Sequence, residues 1–134
     1  MDGKPYKTTE AAYQAAKSLD QNTRELIRKA KSPYVAKKLG QAVTLRPDWE
    51  SVKVGVMRDL VRQKFENPFL RPLLVATSDA ELIEGNHWHD RFWGVCGGIG
   101  QNWLGRILME VRDEINAEDS VSSAVNVVSS SNEV

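Results

Sequence analysis

Glu10, Gln14 and Lys17 stand at i, i+4 and i+7 in the segment TEAAYQAAK. On a helix that spacing puts three polar groups on one face. A solvated face explains it, with Glu10 favoured in the first turn by the helix dipole. A cleft wall explains it as well. There Glu10 would move protons, and a partly desolvated Lys17, its pKa lowered, would serve as a nucleophile or Schiff-base former. Tyr13 lies beside them in sequence. A second cluster runs from His87 to Arg112, HWHDRFWGVCGGIGQNWLGRILMEVR, and holds three of the chain's four tryptophans. Loops on rigid elements are where binding and catalytic groups concentrate. Such a loop suggests planar walls suited to a base or heterocycle. Asp90 precedes Trp93-Gly94 by three residues. It reads as a turn or N-cap aspartate, or as a carboxylate that steadies a developing cation or activates water, as in glycosyl transfer.

Other groups in the same stretch carry weaker signals. Gly97, Gly98 and Gly100 precede the last helix, where backbone N–H groups favour phosphate. Their spacing does not make a dinucleotide-binding loop, because Trp103 takes the last glycine position, and no Walker lysine follows. His87, His89, Asp90 and Cys96 have zinc-ligand chemistry but match no recognised spacing, so no metal site is expected. Cys96 as a nucleophile has only the neighbouring histidines behind it. Trp49, opening the segment DWESVK, reads as core by pattern, as do Met57 and Phe65.

The elements that must position these groups follow from periodicity and caps. Helices are expected over about 10–18, 20–31 (with Leu26, Ile27 and Ala30 inward) and 33–40. A further helix opens at Pro47-Asp48, with Trp49, Val52, Val56 and Leu60 along one face. A short buried helix is expected over 69–76. A last helix from about Gln101 buries Leu104, Ile107, Leu108, Val111 and Ile115. Ser32-Pro33 is an N-cap followed by proline at the first helical position, and Gly40 is a natural stop. Residues 3–7 and 81–84 read as short strands. The fold class is therefore α+β, mainly helical, one compact domain with a few short strands over 1–117. From Glu118 the composition turns to Ser, Val, Asn and Ala, which predicts a flexible Ser-rich tail over 118–134.

The chain has 134 residues, enough for one domain with a real core. Its 18 basic and 18 acidic side chains cancel, so the strong basic footprint of a duplex-binding protein is missing. A local basic cluster remains in Lys29, Lys31, Lys37 and Lys38, most simply a solvated helix face. One cysteine, Cys96, precludes an intrachain disulfide and fits a reducing compartment. No apolar run is long enough to span a bilayer, and MDGKPYKTTE is not a signal peptide. A cytoplasmic protein without membrane partners is the expectation.

Taken together, these pieces resemble the NADAR/YbiA-like N-glycosidases. The matching stretches are DGKPYKTTEAAYQAAK, SPYVAKKLG, RPDWESVKVGVMRDLVRQKF, LLVATSDAELIE, DRFWG and GQNWLGRILMEVR, in order, over roughly residues 2–115. The resemblance implies hydrolysis of an N-glycosidic bond. The substrate would be a phosphorylated ribosylamino-pyrimidine of riboflavin synthesis or ADP-ribose on guanine, as a small molecule or within nucleic acid. It implies Glu10, Lys17 and Asp90 as catalytic groups. Gln14, on the Glu10/Lys17 face, joins Trp49, Trp93, Gly94, Gly100 and Asn102 as substrate contacts. By this scheme Lys17 attacks the anomeric carbon or traps the opened sugar, Glu10 or Asp90 handles protons, and Trp49 and Trp93 flank the ribose or base. Asn102 holds a hydroxyl or phosphate. No metal or nicotinamide cofactor is required. Two departures from the family pattern stand out. An F-L-S-N-F-like segment usually precedes the D-G-K strand, and the glutamate is usually followed by histidine, where this chain has Ala11. They leave a non-catalytic module that binds ADP-ribose or a nucleotide as the alternative.

Overall fold

The computed structural model describes residues 3–132, with side chains as far as residue 121. The chain packs as two compact units, Met1–Lys64 and Phe65–Val134. The first unit is helical. α1 (Thr9–Ala16) starts where the Thr8 hydroxyl accepts the Ala11 N–H at 3.0 Å, a capping bond that satisfies one of the orphan donors of the first turn. α2 (Gln21–Arg28) is capped by Asp20, which accepts from Thr23 N. α3 (Pro33–Gln41) has the expected Ser32 cap and proline at the start. α4 (Trp49–Lys64) buries Trp49, Met57, Leu60 and Val61.

Small residues let these helices approach. Ala11 and Ala15 of α1 face Ile27 of α2 and Ala36 of α3 in one buried cluster, flanked by Tyr6, Ala30 and Val43. Full burial of a side chain such as Ile27 stabilises by about 2–3 kcal/mol. Leu26, expected beside it in the core, is 65% exposed. Neighbouring helical positions point about 100° apart, so a narrow apolar stripe admits only one of the two. Residues 3–7 form no strand: Gly3 is left-handed (φ 72°), and Pro5 removes a ladder donor.

The second unit begins with a short helix, α5 (Arg71–Val75), in which Leu74 is buried while Leu73 and the preceding Phe69 are exposed. The stretch expected to be a buried helix is therefore buried at Leu74 alone. Strand pairing falls later than 81–84. β1 (Gly85–Asn86) pairs in parallel with β2 (Val95–Cys96), Gly85 opposite Val95 and Asn86 opposite Cys96. α6 (Trp103–Asn132) follows. Ile107, Val111 and Ile115 are fully buried along it, and Leu104 and Leu108 are half-buried at the margins of that stripe. Arg112 is also buried. Its Nη1 donates to Thr77 Oγ1 at 2.9 Å and Ala80 O at 2.8 Å, tying the turn after α5 to α6. α6 continues past residue 117, so the expected tail begins inside a helix. The side chains from residue 122, and all of residues 133–134, lie outside the described residues.

Candidate active site

α1 presents the first cluster as the spacing predicts. Gln14 Nε2 donates to Glu10 Oε1 at 2.9 Å, one helical turn away. Lys17 caps the C-terminal end of the helix, with its Nζ 5.6 Å from the centre of the Tyr13 ring. Burial pushes the Lys17 amine below the usual lysine range; Glu10 opposes this, and Lys37 adds to it. Removing water disfavours the charged form, and a neighbouring cation does the same. Lys17 is thus a partly desolvated amine beside a carboxylate, the condition under which a lysine becomes nucleophilic. Its carbonyl accepts the Arg46 N–H at 2.7 Å, which anchors the link before α4 to the end of α1. Tyr13 and Trp49 pack at 5.2 Å between ring centres, tilted by 56°. Trp49, expected to flank a ligand, is only 5% exposed. It forms the support behind Tyr13.

Gln14, expected as a substrate contact, is buried. It is 3% exposed, and its amide lies against Gly40 of α3. A β-carbon at Gly40 would come within 2.0 Å of Gln14 Oε1. Only glycine leaves this space, so Gly40 acts as a socket as well as a helix stop. The Gln14 side chain fills that space: its Nε2 holds Glu10, and its buried Oε1 has no hydrogen-bond partner among the described residues. Sequence gave no signal of that contact, because it joins residues of two helices.

The second cluster is a loop tied by its own backbone. Asp90 Oδ1 accepts the N–H groups of Phe92 (3.1 Å) and Trp93 (2.9 Å), the Asx-turn geometry expected of an aspartate in a tight bend. Asn86 clamps the loop from below: Nδ2 donates to Asp90 O at 2.8 Å, and Oδ1 accepts Asp90 N at 3.1 Å. Neither Asn86 nor Glu84, which accepts from Asn86 at 3.2 Å, was picked out by sequence. The signal was there, an Asn and an Asp four apart in a glycine-flanked loop. Gly94 is buried where a β-carbon would meet Glu84 Oε2 at 1.7 Å and Glu84 O at 2.3 Å. A β-carbon at Gly100 would come within 2.1 Å of Gly94 O.

The start of α6 does not offer the open N–H groups a phosphate needs. Trp103 N donates to Phe92 O at 3.0 Å and Leu104 N to Trp93 O at 2.9 Å, while Gln101 N reaches Arg91 O. The D-x-x-W-G carbonyls thus satisfy helix donors otherwise left orphaned. Gly97 and Gly98, both left-handed (φ 60° and 77°), make the two-residue turn between Cys96 and Ile99, whose N–H and C=O groups pair across it. Adjacent left-handed positions are what such a hairpin turn demands. Asn102 was expected to hold a hydroxyl or phosphate. Instead its Oδ1 accepts Glu84 N and its Nδ2 donates to Leu82 O, both at 2.9 Å, so the amide staples the 82–84 segment to α6. Trp93 is half-buried and edge-on to Phe92 at 4.8 Å, and Trp88 is 53% exposed. His89 Nδ1 lies 4.0 Å from Cys96 Sγ. Among the described residues no three His, Cys, Asp or Glu side chains gather as metal ligands, and no helix is long and apolar enough to cross a membrane.

A family model described as the NADAR domain matches residues 1–116. The chain belongs to the NADAR family. Among its relatives, the N-glycosidase YbiA of Escherichia coli (strain K12) is 46% identical over 122 residues, covering 88% of this chain and 76% of that protein. The riboflavin biosynthesis protein VVA0006 of Vibrio vulnificus (strain YJ016) is 41% identical over 119 residues, 86% of this chain and 32% of that longer protein. The NMR structure of E. coli YbiA is similar with a TM-score of 0.80 at 46% identity, covering 89% of this chain and 73% of that one. The mainly helical α+β class expected from sequence is the class observed, in a structure that matches YbiA. Within the NADAR match lie all the groups described above, Glu10, Lys17 and the Asp90–Asn102 loop included.

Proposed function

We propose that this NADAR chain is an N-glycosidase that hydrolyses the bond between a ribosyl carbon and the nitrogen of a base. The observation that carries the reading is the α1 face: a partly desolvated Lys17 amine, depressed below its ordinary range, on the same helix as a Glu10 carboxylate held by Gln14. The names of YbiA and of VVA0006 support the reaction class. The substrate is a ribosylated base: a phosphorylated ribosylamino-pyrimidine, or ADP-ribose joined to guanine, free or in nucleic acid. A cytoplasmic place of action belongs to the same reading.

The chemistry runs as follows. The neutral Lys17 amine attacks the anomeric carbon as the C–N bond to the base breaks, and the base nitrogen leaves with a proton from Glu10. The glycosyl–lysine adduct, opened to its imine, is hydrolysed by water, which Glu10 deprotonates. Lysine is regenerated, and the net change is addition of one water across the C–N bond. Lysine and carboxylate roles of this kind are common in covalent and general acid–base catalysis. Asp90 enters as the residue that fixes the Trp93 loop. Its Oδ1 is engaged in the turn, so any proton transfer would fall to Oδ2.

The test is turnover. The purified chain is incubated with the ribosylamino-pyrimidine phosphate and, separately, with ADP-ribosylated guanine DNA, and base release is followed by mass spectrometry. Release that Lys17→Ala abolishes is the expected result. Tight ligand binding without release from either substrate would favour the non-catalytic binding module, for which Ala11 is the motivating departure.

A further inference from the structure

α4 lines a hollow that the catalytic reading leaves unused. Val56, Asp59, Leu60 and Gln63 stand at i, i+3, i+4 and i+7, so they share one face of the helix. With Arg24 of α2 and Arg46 of the link before α4 they line a volume of about 170 Å³. Drug-sized ligands need roughly 300–1,000 Å³, so a guest here is smaller than a nucleotide. Val56 is half-buried and Leu60 is buried, which gives the hollow an apolar floor. Asp59 and Gln63 are exposed at its rim.

The rim carries both signs of charge, and part of it is unengaged. Arg46 gives its Nε and Nη2 to Asp48, at 2.6 and 3.0 Å. Among the described residues its Nη1 has no partner, and Asp59 and Gln63 make no hydrogen bond or ion pair. Arg24 is 9% exposed, and its Nε donates to Ser18 O at 2.7 Å, so its guanidinium is held in place before any ligand arrives. An anion alone would meet Asp59 as a like charge. A cation alone would meet Arg24 and Arg46. Like charges brought together oppose binding, so the rim selects a small guest that carries both signs.

We propose that this hollow is a binding site for a free α-amino acid with an aliphatic side chain of the size of leucine's. The carboxylate meets Arg46 Nη1 and the Arg24 guanidinium, the ammonium meets Asp59, and the side chain lies on Val56 and Leu60. The Gln63 amide, donor and acceptor at once, closes the rim. Both polar ends of the guest thus make charge-assisted contacts, the stronger kind. The site does not rest on the N-glycosidase reading, since it uses none of the groups placed in that chemistry.

The test uses L-leucine as probe and needs no turnover. Binding to the full chain is measured by calorimetry. It is compared with 4-methylpentanoate, which lacks the ammonium, and with 3-methylbutylamine, which lacks the carboxylate. Leucine binding, weakened roughly tenfold or more in either analogue, is the expected result. Asp59→Asn should weaken leucine by a similar factor and leave 4-methylpentanoate no weaker, because only the ammonium contact is lost. Asp59 has no partner to lose, so the thermal midpoint of this variant should match wild type. Val56→Phe fills the hollow and should abolish binding. No leucine binding by wild type, or binding no tighter than that of either analogue, would overturn the site. So would leucine binding unaltered by Asp59→Asn or by Val56→Phe.

Discussion

The α1 face and the Asp90–Asn102 loop both come from recognisable motifs, yet they use their polar groups in opposite ways. On α1 the backbone is satisfied by the helix itself, so side chains are left to do chemistry. Glu10 and Gln14 contact each other, and the Lys17 amine is half-buried beside them with its proton affinity lowered. In the loop there is little regular structure to satisfy the backbone, and side chains take over that task. Asp90, Asn86 and Asn102 each make at least two bonds to main chain. A polar motif residue on a helix is thus freer for chemistry than one in a loop. In a loop the first demand on a polar side chain is to hold the fold.

The largest effect that sharpens this comparison is at Lys17. Lys17→Ala should lower base release by roughly 10³-fold or more with the thermal midpoint nearly unchanged, since the nucleophile is lost and little packing with it. In the loop the order reverses. Gly94→Ala forces a β-carbon into Glu84 and should cost about 1–3 kcal/mol of stability, seen as a lower denaturant midpoint. Asp90 separates the two roles most sharply. Asp90→Asn keeps an oxygen to accept the Phe92 and Trp93 N–H groups, and Asp90→Ala does not. If the turn is its whole role, Asp90→Asn retains stability and rate, while Asp90→Ala costs about 1–2 kcal/mol. Full stability with lost turnover in Asp90→Asn would break the comparison by making Asp90 a proton carrier.

Smaller effects probe α1. Gly40→Ala should displace the Gln14 amide and free Glu10, lowering kcat more than it raises KM. Gln14→Glu, with two like charges now facing each other, should move the acid limb of the pH profile where a purely structural role would not. Lys37→Gln removes a cation that helps depress Lys17. The reacting pair must carry one proton in all, with Lys17 neutral and Glu10 the donor, so the rate falls as pH rises through the Lys17 pKa, which lies below the ordinary 10.5. Removing Lys37 raises that pKa and should shift the falling limb to higher pH, read from kcat against pH. The same depressed pKa bears on stability. A lysine whose folded pKa is depressed disfavours the folded state below that pKa, and the penalty disappears as pH rises towards the unfolded value.

Much of this was legible in the sequence because it was local. The Ser32-Pro33 start of α3, the Thr8 cap of α1 and the i, i+4, i+7 face of Glu10, Gln14 and Lys17 depend on residues within two turns of one another. What was not legible depended on contacts between elements. The Gln14–Gly40 socket joins two helices, so its burial left no mark in either segment alone; there Gln14 Nε2 binds Glu10 while Oε1 has no hydrogen-bond partner among the described residues. Asn102 looked free for a phosphate because its partners, Leu82 and Glu84, lie some twenty residues away. The 3–7 strand failed for a similar reason. A strand needs a partner, and a single segment cannot announce one. The parallel pairing of Gly85–Asn86 with Val95–Cys96 is too short to leave an alternating pattern.

If Lys17 is the reacting group, it can be trapped on its substrate. The chain is mixed with a ribosylated substrate and borohydride, and the adduct is mapped by peptide mass spectrometry. Reduction of the imine should leave the opened sugar covalently attached at Lys17, with no adduct in Lys17→Arg and none when borohydride is omitted. Base release at the wild-type rate by Lys17→Ala, or a trapped sugar on another lysine with Lys17 unmodified, would contradict the account.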